Sequence, residues 1–529
     1  MLSAFPRPRL YDPLRARRPI KGAERQGAKG LDGLKELGDV REAIENDPRP
    51  DSADPAIHPK GLKLSATGAP AADAKGQFSW AMFQWARDPY VIIVTIYIFS
   101  PYFSNVVVGD PIRGQAIWGN INSIAGFIIA LFGPILGAIA DTGGRRKPWL
   151  IAFVAVMVPA IFALWWALPG GAGLGIYQIA LLFIVVSVAF SFTEVFHNSM
   201  LPAVAPHERI GFLSGLALAM ANAGALLILC FMLFAFMLPG QVDWSFLPTK
   251  ALFGLDVSMH ENSRISGPIT AIWLLIFTLP LLFFTPDVKP TQKINKVKAV
   301  KDGIGRVIKT VKQVRHYRNV ATYLIARMFF NDGQTAVLIF GGVYAAGIFK
   351  WDALTLTIYG IILSIFAVGG GFFGGWLDDR FGSKKAIMTS IGGTSIGIVL
   401  AVSMTPTEMF FFIPYDTSSA PLWSLPFFST LPELMYLIVV LVVAICITAA
   451  YANSRTMLAR IAPASKMSEF FGLYALSGTA TAFMGPLLVG LATTFFQSQR
   501  MGFASILILM VAGLAIMAFV NETRVEAVD

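Results

Sequence analysis

The chain has 529 residues, 55% of them hydrophobic and only 14% charged, and it carries a formal net charge of +10. A soluble protein of this size would hold about a quarter of its residues as charged ones, so a soluble globular fold is excluded. Most of the positive excess lies in one stretch, about ten Lys/Arg against two Asp over residues 286–320, which argues against nucleic-acid binding and for the basic loop that membrane topology produces.

Residues 1–79 are rich in Pro, Gly, Ala, Arg and Asp, with no sustained apolar period. The stretch reads as a disordered cytoplasmic tail, or as sequence upstream of a later start codon. Arg15, Arg17 and Arg18 lack a following apolar run, so neither a Sec nor a twin-Arg signal is expected. Apolar runs long enough to cross a hydrocarbon core are then expected near 82–104, 115–140, 149–168, 176–199, 212–238 and 268–285. After the basic loop come 320–347, 354–377, 385–404, 433–454, 469–495 and 500–520. About twelve transmembrane helices make this an all-α polytopic membrane protein; porin-like strand alternation is absent. The expected domains are an N-terminal six-helix bundle over 80–285, a basic cytoplasmic linker over 286–319, a C-terminal six-helix bundle over 320–524 and a cytoplasmic tail over 525–529. Within the linker, Val297, Val300, Ile304, Val307, Val311 and Val314 recur at helical spacing. Such a helix lies on membrane lipids with its apolar face dipping in, or serves as a solvated link between the halves.

The loops after even-numbered runs hold Arg145, Arg146, Lys147, Arg209, Arg380, Lys384, Lys385, Arg460 and Lys466. The opposite loops carry about five cations despite greater length, so both termini are expected in the cytoplasm. Two of the basic loops are copies of each other. Gly137, Asp141, Gly144 and Arg146 fall on Gly375, Asp379, Gly382 and Lys384 at a shared offset of about 238 residues, far longer than a solenoid period. Ala205, Pro206, Arg209, Gly215 and Leu216 repeat as Ala462, Pro463, Lys466, Gly472 and Leu473. A duplicated hydrophobic chain is the architecture of many secondary transporters. Small residues at 137, 138 and 140 are expected to let another helix approach closely.

The stretch 137–148 resembles the G-x-L-A-D-R-x-G-R-K loop of the major facilitator superfamily, departing from it at Ile139 and Thr142, whereas the second copy keeps Leu377 and Arg380. The resemblance implies a major facilitator fold of two pseudo-symmetric bundles. It also implies a cytoplasmic gate in which Asp141 and Asp379, with Arg145, Arg146 and Lys384 as cationic partners, latch the halves together. Gly137, Gly144, Gly375, Arg380 and Gly382 complete the two motifs. The stretches Trp80–Tyr90, Asn198–Pro202, Arg327–Gly333 and Glu469–Gly478 are similar to the vacuole-effluxer branch, whose fungal members resemble vacuolar amino-acid exporters. Gln84 stands where many relatives have an acid and Thr479 where many have Lys, so roles for those charges do not transfer.

Ionisable groups within a span are costly and call for a reason. Arg87 and Asp88 on the first run, and Arg327, Asn331 and Asp332 on the seventh, form polar clusters at pseudo-equivalent places. They are candidates for a substrate or proton pathway; for Arg87 and Asp88 the alternative is an ion pair near the end of the span. On the fourth run Glu194 and His197 share a helical face, with Asn198 beside them. Either Glu194 is a proton acceptor or the pair is hydrogen-bonded within the bundle. Tyr474, on the eleventh run, is a further candidate. Cys230 and Cys446 lie inside apolar runs and the five histidines are scattered, so no metal, disulfide or cofactor is expected.

The expected function is secondary active transport of a small polar, amino-acid-like molecule by alternating access in a bacterial inner membrane, with efflux and proton coupling. The alternative is a non-transporting membrane receptor or scaffold. No phosphate loop or nucleophile–base arrangement points to an enzyme or a primary pump.

Overall fold

The computed structural model describes residues 64–65, 69–141, 145–206, 209–287, 305, 317–463 and 467–522, apart from the side chains at 138, 141 and 467–469. Twelve helices among them are long and apolar enough to cross a membrane. In order they are Ala74–Val107, Pro111–Gly137, Lys147–Trp166, Ile176–Val204, Ile210–Met237 and Glu261–Phe284, then Arg318–Phe349, Ala353–Phe381, Ser383–Val402, Leu431–Ile461, Phe470–Phe496 and Gln499–Ala518. All twelve expected runs are there, most of them extended at one or both ends. Nearly all of the expected linker helix, Gly144, Lys466, residues 1–63 and the tail 525–529 lie outside the described residues.

The first span starts at Ala74, ahead of the expected boundary, because Asp73 caps it by accepting from the Gly76 N–H at 2.8 Å. Its beginning is tied down by Thr285 Oγ1, which donates to the Gly76 carbonyl at 2.9 Å, and by the Ala72 N–H, which donates to the Val204 carbonyl at 3.1 Å. Pro89 removes a donor from the ladder, and the helix continues from Tyr90 to Tyr97 with the wider π pattern. Asp352 caps the eighth span through the Thr355 N–H, and Thr430 with Glu433 forms a capping box on the tenth.

In the first six spans, the first packs on the fifth and sixth, the second on the fourth, and the third on the fourth and sixth. In the last six, the eighth packs on the tenth, the ninth on the tenth and twelfth, and the seventh on the twelfth. The sets meet where the second span packs on the later part of the eleventh, the first on the seventh, and the fifth on the eighth. At the second–eleventh crossing Gly119 lies against Gly490: a Cβ on Gly119 would stand 2.7 Å from the Gly490 Cα. Glycine permits this backbone contact.

Candidate functional site

The two halves hold their buried charges in different ways. In the first half Arg87 is a buried cation shared by two carboxylates. Its guanidinium lies 3.0 Å from Asp88 Oδ1 and 3.6 Å from Glu194 Oε2, and 4.2 Å over the Phe190 ring. Arg87 is 4% exposed, against 28% for Asp88 and 49% for Glu194, so the cation is enclosed while its anions face outward. The ion pair weighed for Arg87 and Asp88 is present, and the structure adds Glu194 from a distant span. His197 is separate from this cluster. It stacks on Trp80 at 4.4 Å, donates from Nε2 to the Trp80 carbonyl at 2.8 Å, and its own carbonyl accepts from Trp80 Nε1 at 3.0 Å. The carbonyl acceptor fixes the Nε2–H tautomer. The shared face expected for Glu194 and His197 therefore splits: one side chain turns to Arg87, the other is a buried link to the first span. Asn198 is exposed.

In the second half the eleventh span is broken. Its helix runs from Met467 to Thr479 and resumes from Met484 to Phe496. Two residues of the seventh span bracket the break. Arg327 Nη1 donates to the Tyr474 carbonyl at 2.8 Å and to Ser477 Oγ at 2.7 Å, and the guanidinium lies 3.6 Å over the Tyr474 ring. Asp332 Oδ2 accepts from the Gly485 N–H at 2.8 Å. A cation at the end of one segment and an anion at the start of the next both match the helix dipole. Asp332, a candidate for the substrate or proton pathway, is 2% exposed and turned to the eleventh span. Asn331 stays half-buried one turn from Thr335, whose hydroxyl lies 3.2 Å from the Tyr451 hydroxyl. The break was not expected from the sequence, although Gly478 and the Gly485–Pro486 pair are its visible signals.

A cavity of about 610 Å³ lies between the halves, bounded by Ile92, Ile96 and Tyr97 of the first span and Asn222 of the fifth. Across from them stand Val337 and Leu338, Tyr359, Tyr436, Thr448 and Tyr451. Among the described residues its wall carries tyrosines and the Asn222 amide but no Asp, Glu, Lys or Arg. Asp88 lies one helical turn before the lining residue Ile92 on the same face. On the seventh span, Asn331 and Thr335 lead in the same way to Leu338.

The sparsely charged side of the cavity is closed by contacts between halves. Gln115 Nε2 donates to Thr493 Oγ1 at 2.8 Å and to the Gln499 carbonyl at 3.1 Å, while Gln499 Nε2 donates to the Pro111 carbonyl at 2.9 Å. On the basic side each gate loop is anchored within its own half among the described residues. The Arg146 N–H donates to Asp287 at 2.9 Å and Lys147 Nζ to the Leu282 carbonyl at 2.8 Å. In the second half, the Ser383 N–H donates to Glu522 at 2.7 Å and Lys384 Nζ to the Ala518 carbonyl at 2.8 Å. An acid just after the last span of each half thus caps the start of the third or ninth span.

Glu522 also accepts from Arg460 at 2.6 Å, and Arg460 reaches Asp378 at 2.8 Å. Burial pushes the Glu522 carboxyl up, but Arg460 and the two backbone N–H groups outweigh it and hold it below the usual carboxylate range. Gly382 sits at φ +84°, and a Cβ there would stand 2.6 Å from the Glu522 carboxylate, so this motif glycine is required.

The engaged aspartate of the second loop is Asp378, while the motif position Asp379 is exposed. Arg380 is exposed near Trp376 and Phe381, Arg145 is exposed, and Arg146 is buried against Ser199 and the Ala140 carbonyl. The side chain of Asp141 lies outside the described residues. A Cβ at Gly137 would meet nothing within 4 Å, so the close helix approach expected of the small residues is not made at that position, whereas Ala140 is buried.

The protein family described as vacuole effluxer Atg22 like matches residues 105–527 of the chain. The chain is 26% identical over 452 residues to an uncharacterized MFS-type transporter, YxiO, of Bacillus subtilis, covering 85% of this chain and 95% of that one. It is 25% identical over 289 residues to autophagy-related protein 22 of Cryptococcus neoformans, covering 54% of this chain and 48% of the fungal one, so the chain spans about half the length of that relative. Among solved structures the fold is similar to a D-xylose-proton symporter, with a TM-score of 0.58 at 12% identity, covering 85% of this chain and 99% of that one.

Proposed function

The chain belongs to the vacuole effluxer Atg22-like family and is a multi-pass membrane transporter of the major facilitator type; on that premise we propose that it exports a small, amino-acid-like metabolite by proton-coupled alternating access. The observation that carries this reading is a cavity between two six-helix halves that is sealed by direct contacts on the sparsely charged side. Rocking of one half against the other would transfer that seal to the opposite side. The cation excess of the basic side supports a cytoplasmic orientation for that side and for both termini, in a bacterial inner membrane on this reading. The gate loops then carry Asp379 and Arg145 free to latch across the halves when that side closes.

The cavity and the Arg87 cluster divide the work of recognition. An apolar side chain rests against Ile96, Val337 and the tyrosine rings, whose hydroxyls accept or donate at fixed points. The ammonium of an amino acid meets the outward-facing carboxylates of Asp88 and Glu194 beside the enclosed Arg87 guanidinium. Catalysis is not part of this reading.

Purified protein in vesicles with an imposed pH gradient tests it against a panel of labelled neutral amino acids. Gly341 lines the cavity, and its hydrogen faces open space toward the Tyr359 hydroxyl, so Gly341→Trp fills the site. Gradient-driven flux that Gly341→Trp abolishes is the expected result. Absence of flux across the panel, or flux indifferent to Gly341→Trp, would overturn the reading.

A further inference from the structure

We infer that Asp332 is a proton-binding coupling group that acts through the break in the eleventh span, and that it does not contact the transported molecule. The inference deepens the transport reading by assigning the coupling site, and it rests on that reading only for its physiological purpose. Three observations place it. Asp332 is 2% exposed. One of its carboxylate oxygens takes the Gly485 N–H at the start of the Met484–Phe496 segment, while the other, Oδ1, has no hydrogen-bond partner among the described residues. That segment also makes the larger contact of the eleventh span with the second span of the other half, with Gly119 set against Pro486 and Gly490.

An ionised carboxylate here is held by the positive end of the segment and by the charge-assisted hydrogen bond to Gly485. The groups around it do not neutralise it. On its own span Arg327 is spent on the Tyr474 carbonyl, Ser477 and the Tyr474 ring. The tenth span offers Tyr451, a neutral hydroxyl bonded to Thr335. The twelfth span presents Leu509 and Met510 beside Gly333, and the eleventh offers only backbone at the contact. A proton taken from water forms an O–H bond at Oδ1 and removes the negative charge, leaving Gly485 with a weaker neutral acceptor. The start of the segment then loses its anion, and the Gly119–Gly490 seam loses a fixed support. Loosening that seam is the movement that opens the sparsely charged side and closes the basic side. Arg327 holds the other end of the break in place, so the change falls on the segment that makes the larger contact with the opposite half.

The test needs no transported molecule. Spin labels on cysteines at Arg209 and Lys385, exposed at the basic-side starts of the fifth and ninth spans, report the separation of the halves, with Cys230 and Cys446 replaced by Ala. The expected separation shortens between pH 8 and pH 5, and Asp332→Asn holds it at the acid value throughout. A pH response in Asp332→Asn equal to that of the parent, or no response in the parent, overturns the inference. If Asp332→Asn fails to fold, hydrogen exchange of the parent decides. Protection of the Met484, Gly485 and Leu487 amides, corrected for intrinsic rates, falls by about tenfold on acidification if a charged acceptor becomes neutral, and stays flat if Asp332 does not take the proton. Loss of all flux with the Asp332-dependent shift intact would sink the transport reading alone. Flux that keeps its pH drive in Asp332→Asn would sink this inference alone.

Discussion

Gly119→Ala is the sharpest probe of the seam between the halves. The added methyl would stand 2.7 Å from the Gly490 Cα, 2.8 Å from the Pro486 carbonyl oxygen and 2.9 Å from the Gly490 nitrogen. Carbon contacts are favourable near about 3.5–4.0 Å, and all three neighbours are backbone, so no rotamer change relieves the clash. Overpacking of this kind costs about 1–3 kcal/mol. Because the two helices belong to different halves, the strain falls on the state in which they touch and vanishes when they separate. A penalty of that size shifts the equilibrium between states by about 5–150-fold. A single cysteine at Ser364, on the cavity wall, reports it through alkylation by a membrane-impermeant maleimide. The rate from the sparsely charged side should rise by that factor in Gly119→Ala. A lower melting temperature with unchanged alkylation would mean the fold absorbs the methyl within one half, and would refute the argument.

Three further outcomes follow from the same contacts. His197→Phe keeps the stack on Trp80 but loses the hydrogen bond from Nε2 to the Trp80 carbonyl. It should lower thermal stability by about 1–3 kcal/mol and leave the pH profile of transport unmoved; a displaced profile would return His197 to the proton pathway. Asp378→Asn should lower the melting temperature by removing the partner of Arg460 and Ser383, while Asp379→Asn, exposed at its motif position, should not; equal losses would mean that the register read at this loop is wrong. Glu522 is held below its ordinary value, so its contribution is present above the unfolded carboxylate range near about pH 4.3 and is lost as pH falls through the lower folded value. The melting-temperature gap between the parent and Glu522→Gln should therefore be constant at neutral pH and close only in acid; a gap that closes between pH 6 and 8 would contradict it.

The twelve spans were legible because hydrophobic length alone decides what crosses a bilayer, and the duplication was legible because both loop copies kept their glycines and charges. What the side chains do was far less legible. A helix turns about 100° per residue, so Asp378 and Asp379 face different neighbours, and a motif aligned by spacing picks the second while Arg460 picks the first. Glu194 meets Arg87 across spans that the sequence does not pair, and burial assigns His197 to Trp80. Asp287 and Glu522 went unremarked because a lone acid after a hydrophobic run has no pattern; only the fold brings each to the start of a distant helix.

The two halves share a backbone plan and differ in how they settle their buried charge. In the first half the cation and its acids bind one another, so Arg87, Asp88 and Glu194 form a local unit that loses most if Arg87 alone is removed. In the second half Arg327 and Asp332 are spent on opposite ends of a broken helix. A change of charge at the first cluster is answered by its neighbouring side chains. A change at Asp332 is answered by the backbone of a helix segment, and that segment makes the larger contact with the second span of the other half. The pseudo-symmetry therefore ends at the eleventh span, and a group whose protonation is to move one bundle against the other belongs on that side of the molecule.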